Sequence, residues 1–262
     1  MMMPHSLSFA VAAALLLGAP AHAQDQSKVS DDIDIAAHQQ AGNLTTVSGD
    51  IDIAAGARAG RLNAVSGDIE LADKVVAGNV QAVSGDIDAD DDVRTGDVET
   101  VSGDIKFGAR AQAGSTQTVS GDLRFGAGGR LASAETVSGD VFIDRGGRVQ
   151  RGIRTVSGAI GLVGTEVGGD ILTYTGNVTV GVASHVRGNL IVRKPNNEGG
   201  IQVVSIRLKP EPPRIVIGPN ARVDGTLTFE HPVKLYVHRS ARIGKVSGAT
   251  PVMFDTPTPP RN

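Results

Sequence analysis

The tetrapeptide Val-Ser-Gly-Asp returns along this chain with its serine at Ser48, Ser66, Ser84, Ser102, Ser120 and Ser138, each 18 residues after the last. A further serine, Ser157, follows after 19 residues. One interval upstream stands Ser30, in KVSDDIDI, and one downstream Thr175, in TYTGNVTV. A period this strict defines a repeat architecture, whose unit cannot bury an apolar face alone and must stack on its neighbours. Two-helix repeats need more than about 30 residues per unit, and leucine-rich repeats need leucines at offsets this chain does not keep. An 18-residue unit rich in glycine, with alternating Val and Ile, fits one coil of a single-stranded parallel β-helix with three short sides.

The coil that starts at Val83 sets the expectation. Val83, Gly85, Ile87 and Ala89 alternate with Ser84, Asp86 and Asp88, the period-two signature of a strand with one buried face. Through successive coils the Ile87 position reads Ile51, Ile69, Ile87, Ile105, Leu123 and Val141. The Ala89 position reads Ile53, Leu71, Ala89, Phe107, Phe125 and Ile143. A third column, on another side, reads Leu62, Val80, Val98, Thr116 and Ala134. Like residues then stack about 4.8 Å apart. The expected fold is an all-β solenoid of about 10–12 coils, of either hand and some 50–60 Å long. Aromatic residues are only 3% of the chain and tryptophan is absent, so the core consists of thin aliphatic layers. The recurring Gly49, Gly67, Gly85, Gly103, Gly121 and Gly139 are expected where the chain bends or passes close to its neighbour.

Residues 1–23 read as an export signal: an apolar run from Leu7 to Gly18, then Ala21-His22-Ala23 as a cleavage site before Gln24. The expected location is therefore the periplasm, the cell surface or the exterior. No later segment is apolar enough for a transmembrane helix, and without cysteine the exported chain draws its stability from the repeat rather than from disulfides. The repeat body is expected over 24–192. A Pro-, Asn- and Gly-rich insertion follows at 193–214, then terminal coils with a cap at 215–250 and a disordered tail at 251–262. The grammar loosens after Ile160 but persists in EVGGDI, HVRGNL and RVDGTL.

The repeated Val-Ser-Gly-Asp-Ile with its trailing apolar pair, from about Ser30 to Ile160, resembles the bacterial adhesin-type families made of such repeats. IGPNARVDGTL and SARIG in the C-terminal part are similar to the rungs of bactofilins, polymer-forming β-helix proteins. Both resemblances imply a β-helix, and neither supplies catalytic residues.

The outward chemistry is carboxylate-rich. Stacking in register places Asp50, Asp68, Asp86, Asp104, Asp122 and Asp140 in one row. Unit charges that close repel by roughly 1 kcal/mol in bulk water and several-fold more at a protein surface. Hydrogen bonds from hydroxyls and backbone amides relieve this in the structural reading; bound calcium relieves it in the alternative, with Asp86, Asp88 and Asp90 as ligands. From Gln24 to Asp104 there are 17 Asp/Glu against 5 Lys/Arg, and from Ile105 to the end 11 against 20. An elongated body charged in this way can self-associate end to end or side by side antiparallel. Arg145, Arg148, Arg151 and Arg154 are candidates for an anionic envelope glycan or partner. The net charge of −3 gives no reason to expect nucleic acid. For catalysis, His185 is the candidate by analogy with β-helix acyltransferases, while the motif serines have no histidine beside them in sequence to act as a base. The resulting expectation is a non-enzymatic exported structural or adhesin-like protein with no cofactor. Self-assembly is the alternative, and a polysaccharide-active enzyme the remote one.

Overall fold

The computed structural model describes residues 24–195 and 211–260; the expected leader and most of the inserted segment lie outside the described residues. Parallel strands stack coil upon coil into a β-solenoid. The first side of each coil adds one strand to a 12-stranded parallel sheet, from Ile33–Ile35 and Ile51–Ile53 through to Lys234–His238 and Val252–Phe254. The other two sides belong to a 17-stranded sheet. The second side begins as single bridges linking Gln40, Arg58, Val76, Arg94 and Gln112, and becomes strands such as Arg148–Val149 and Glu166–Val167. The third side carries Leu44–Thr46, Leu62–Ser66, Val80–Ser84, Val98–Ser102 and their successors. Register keeps the repeat: Ile51, Ile69, Ile87, Ile105, Leu123 and Val141 pair in sequence, one per coil.

Inside, each side supplies a column. Ile51, Ile69 and Ile87 come from the first side, Ala57, Val75 and Val93 from the second, and Leu62, Val80 and Val98 from the third, all fully buried. Fully burying one Val, Leu or Ile side chain contributes about 1.5–3 kcal/mol, so a coil gains its stability only when neighbours cover it from above and below. Two successive layers are aromatic: Phe107 stacks on Phe125 with ring centroids 4.5 Å apart.

Between the first and second sides the chain turns through a residue with positive φ in almost every coil. His38, Gly56, Lys74, Asp92, Arg110, Gly128, Gly146, Gly164, Ala183 and Asn220 share this position, with φ from 52° to 73°. Only four of the ten are glycine, so the stack imposes a left-handed conformation that non-glycine side chains adopt at a cost of about 1–2 kcal/mol each.

Two expectations need correction. The motif valine is not an interior rung: Val83 is 47% exposed, and its equivalents share that exposure. Val80 and Ala82 point inward from the third side, so parity sends Val83 outward, and the corner at Ser84–Asp86 resets the phase before Ile87 turns in. The expected disordered tail also contains structure. Val252–Phe254 pairs with Tyr236, Val237 and His238, because the Phe254 ring is buried against the last coil and meets the His238 ring edge-on at 5.1 Å.

The strands on either side of the inserted segment are Leu190–Val192 on the third side and Arg214–Ile217 on the first. Val178 pairs with Ile215, a step of 37 residues, so the extra chain is accommodated at the corner that carries the motif in the regular coils.

Candidate functional site

At the motif corner the neighbouring amides, such as Gly85 and Ile87, keep backbone partners in the next coil, while the amide of each motif aspartate is taken by the aspartate carboxylate one coil earlier. The Asp50 amide donates to Oδ1 of Asp32 at 2.9 Å, and the Asp68 amide to Asp50 at 2.8 Å. The Asp86, Asp104, Asp122 and Asp140 amides continue the series at 2.7–2.8 Å. The ladder ends where the Ala159 amide donates to Asp140 at 2.7 Å. Each carboxylate therefore holds the next coil, which is the physical reason a like-charged column is tolerated. The glycine before each aspartate is equally constrained: a Cβ on Gly67, Gly85 or Gly103 would lie 2.0–2.1 Å from the carbonyl oxygen of the glycine one coil earlier. Buried threonines finish the corner, with the Thr46, Thr155 and Thr173 hydroxyls accepting from the Gly49, Gly158 and Gly176 amides at 3.0–3.1 Å. The motif serines stack in register at Ser66, Ser84, Ser102, Ser120 and Ser138, and Ser138 Oγ lies 3.3 Å from Ser157 Oγ.

This corner is what the repeat encodes. Residues 30–134 match the family model Toastrack DUF4097. The Toastrack match covers most of the strict 18-residue coils and stops short of the motif at Ser138, and the coils after it continue the same stack. No curated protein and no solved structure matches the chain.

The calcium candidates of the Toastrack region separate. Asp86 is committed to the ladder, Asp88 lies 3.4 Å from Lys106 Nζ, and Asp90 begins the turn that follows the first side. Among the described residues no three His, Asp or Glu side chains converge as a metal-holding group. Asp88 and Asp90 instead line, with Asp34, Asp52 and Glu70, an open groove of about 630 Å³ along the first side. Burial, and then the neighbouring Asp34, Asp50 and Asp32, raise the Asp52 carboxyl above its ordinary range. The folded chain then binds more protons than the unfolded chain between the ordinary carboxylate pKa and this raised value, so stability falls as pH rises through that window. Asp52→Asn is expected to raise the melting temperature at pH 7 and to remove that part of the gain on acidification; thermal melts at pH 7 and pH 4 check both.

Along the same face the column changes sign: Asp34, Asp52, Glu70 and Asp88 give way to Lys106 and Arg124. Arg124 bridges Asp122 at 2.5 Å and Asp104 at 3.6 Å, so the basic half also offsets charge within the ladder.

Of the four candidate arginines, Arg145 lies in the turn before the second side and the other three divide between two sides. Arg151 and Arg154 join Arg193 in a groove of about 530 Å³ on the third side, with Ser115, Ser133 and Asp170. Arg151 reaches Ser115 Oγ at 2.5 Å and Ser133 Oγ at 3.3 Å. Arg148 lies on the second side, 3.5 Å from Glu166. His185 stands in that second-side column, with Nε2 2.7 Å from Asp224 Oδ2, and Arg222 also bonds Asp224. His185 first, and then Arg222, hold the Asp224 carboxyl below the ordinary range. This places His185 in a surface row of polar and charged pairs that includes Glu166 with Arg187.

Two features were missed in the sequence. One is the outward valine column described below. The other is a further Asx ladder at the corner before the third side, where the Asn43 amide donates to Asp25 at 2.7 Å and the Ser115 amide to Asp97 at 2.7 Å. Its signal was present as Asp25, Asn43, Asn79 and Asp97 at multiples of the repeat.

Proposed function

We propose that the chain is a non-catalytic structural and binding module of the bacterial envelope, adhesin-like in the sense that its flat sides hold a surface or a partner. The observation that carries this reading is the basic groove of Arg151, Arg154 and Arg193, which runs over successive coils of a rigid side. Guanidinium groups in such a row suit a polymer whose anionic groups also repeat. The architecture supports a structural role because the regularly spaced glycines and aspartates of the motif hold the coils together. The apolar leader at 1–23 supports export.

The reading is tested with polygalacturonate and a sulfated glycan as probes at physiological ionic strength. The native chain is expected to bind at least one of them. Arg151→Glu, Arg154→Glu and Arg193→Glu together are expected to weaken that binding about tenfold or more with an unchanged melting curve. Absence of binding by the native chain, or a triple variant that binds equally well, overturns it.

A further inference from the structure

The motif valines form a continuous outward ridge. Val29 is 70% exposed, and Val47, Val65, Val83, Val101, Val119, Val137 and Val156 are each 39–47% exposed. These eight side chains, one per coil, make an apolar line about 34 Å long at strand spacing. Parallel to it on the third side runs the column Ser27, Thr45, Asn63, Gln81, Glu99, Gln117, Glu135 and Arg154, in register coil by coil. Between ridge and column lies an open groove of about 530 Å³. The column beside the eight exposed valines carries three charges, Glu99, Glu135 and Arg154, and five neutral side chains, and the length of the valine row exceeds what scattered surface apolar residues produce.

We propose that this ridge is the seam of an antiparallel homodimer. A two-fold axis between the Val83 and Val101 coils, in the plane of the face and across the solenoid, sets Val83 against the partner subunit's Val101. It likewise sets Val47 against the partner subunit's Val137. The same operation faces Gln81 with the partner subunit's Glu99, and Ser27 with the partner subunit's Arg154, with no like-charge pair in that column; of the three groove arginines only Arg154 lies in the column, and Arg151 and Arg193 stand outside it. The motif carboxylates open the next side, beyond the corner, with one oxygen each already bonded to the following coil.

Charge selects this orientation over the parallel one. Residues 24–92 hold 14 Asp/Glu against 4 Lys/Arg, whereas residues 93–165 hold 7 against 9. The axis falls at that boundary, which is also where the first-side column switches from Asp88 to Lys106. Antiparallel pairing lays each acidic half along the partner's more basic half; parallel pairing lays acidic along acidic, which repels. Unlike end-to-end assembly, the two-fold closes on itself and gives a dimer rather than a filament.

The absence of cysteine makes the test direct. Full mature chains carrying Val47→Cys and Val137→Cys are mixed and oxidised. The mixed disulfide is expected to dominate, because two copies of residue 47 in the antiparallel pair stand five coils, about 24 Å, apart. Disulfides between two Val47→Cys chains would show parallel pairing and overturn the proposal, as would sedimentation of the native chain as a monomer at every concentration. Val83→Asp with Val101→Asp sits on the exposed ridge and is expected to fold, judged by an unchanged circular dichroism spectrum, while weakening dimerisation at least tenfold. A double variant that dimerises as tightly as the native chain overturns the seam.

Discussion

Gly139→Ala is expected to destabilise the solenoid by about 3 kcal/mol or more, a large part of the total stability of an ordinary domain. A Cβ at this position would lie 1.8 Å from the carbonyl oxygen of Gly121, which is backbone and cannot rotate aside. Relief requires the two coils to separate at the corner, and that lengthens the bond from the Asp140 amide to Asp122 now at 2.8 Å. Chemical denaturation followed by circular dichroism should show a lower midpoint, and hydrogen exchange should localise the loss to the coils of Gly121 and Gly139. A midpoint equal to the native one would refute the close-approach account. Gly128→Ala is the informative control. Its φ is +73° and the nearest atom a Cβ would meet is the Arg110 Cγ at 3.5 Å, so only backbone strain of about 1 kcal/mol is expected.

Phe125→Ala is expected to cost about 3–5 kcal/mol. Phe125 is 1% exposed and stacks on Phe107 across one coil step, so truncation opens a void shared by two layers. A core one coil wide has few side chains available to move into that void. Phe125→Leu keeps most of the volume and is expected to cost less than about 1.5 kcal/mol. Denaturation free energies of the two variants give the comparison; equal losses would mean that ring stacking rather than volume holds the layer.

The fold was legible because the period is a geometric statement. Eighteen residues returning Ile51, Ile69 and Ile87 to one position leave little choice but stacked coils, and the glycine and aspartate columns follow from that stacking. What failed was phase. A single strand from Val83 through Ala89 leaves no room for the corner, whereas Val80 points inward and an odd offset of three turns Val83 to the opposite face. The outward ridge was hidden by that error, since Val in a repeat reads as core. The positive-φ column was hidden for another reason: Lys74, Asp92 and Arg110 carry no sign of a left-handed turn, which the stack enforces from outside the local sequence. Phe254 was lost among the prolines that follow it.

The step from Val178 to Ile215 has a consequence for how such a chain changes over time. Because every layer touches only those directly above and below, a chain can hold additional residues between two windings while Val178 and Ile215 keep their pairing. Duplication or deletion of a whole winding should then alter the length of the rod and the number of side chains in each outward row. The spacing and chemistry of those rows would be left untouched, so reach and avidity can evolve separately from what is recognised.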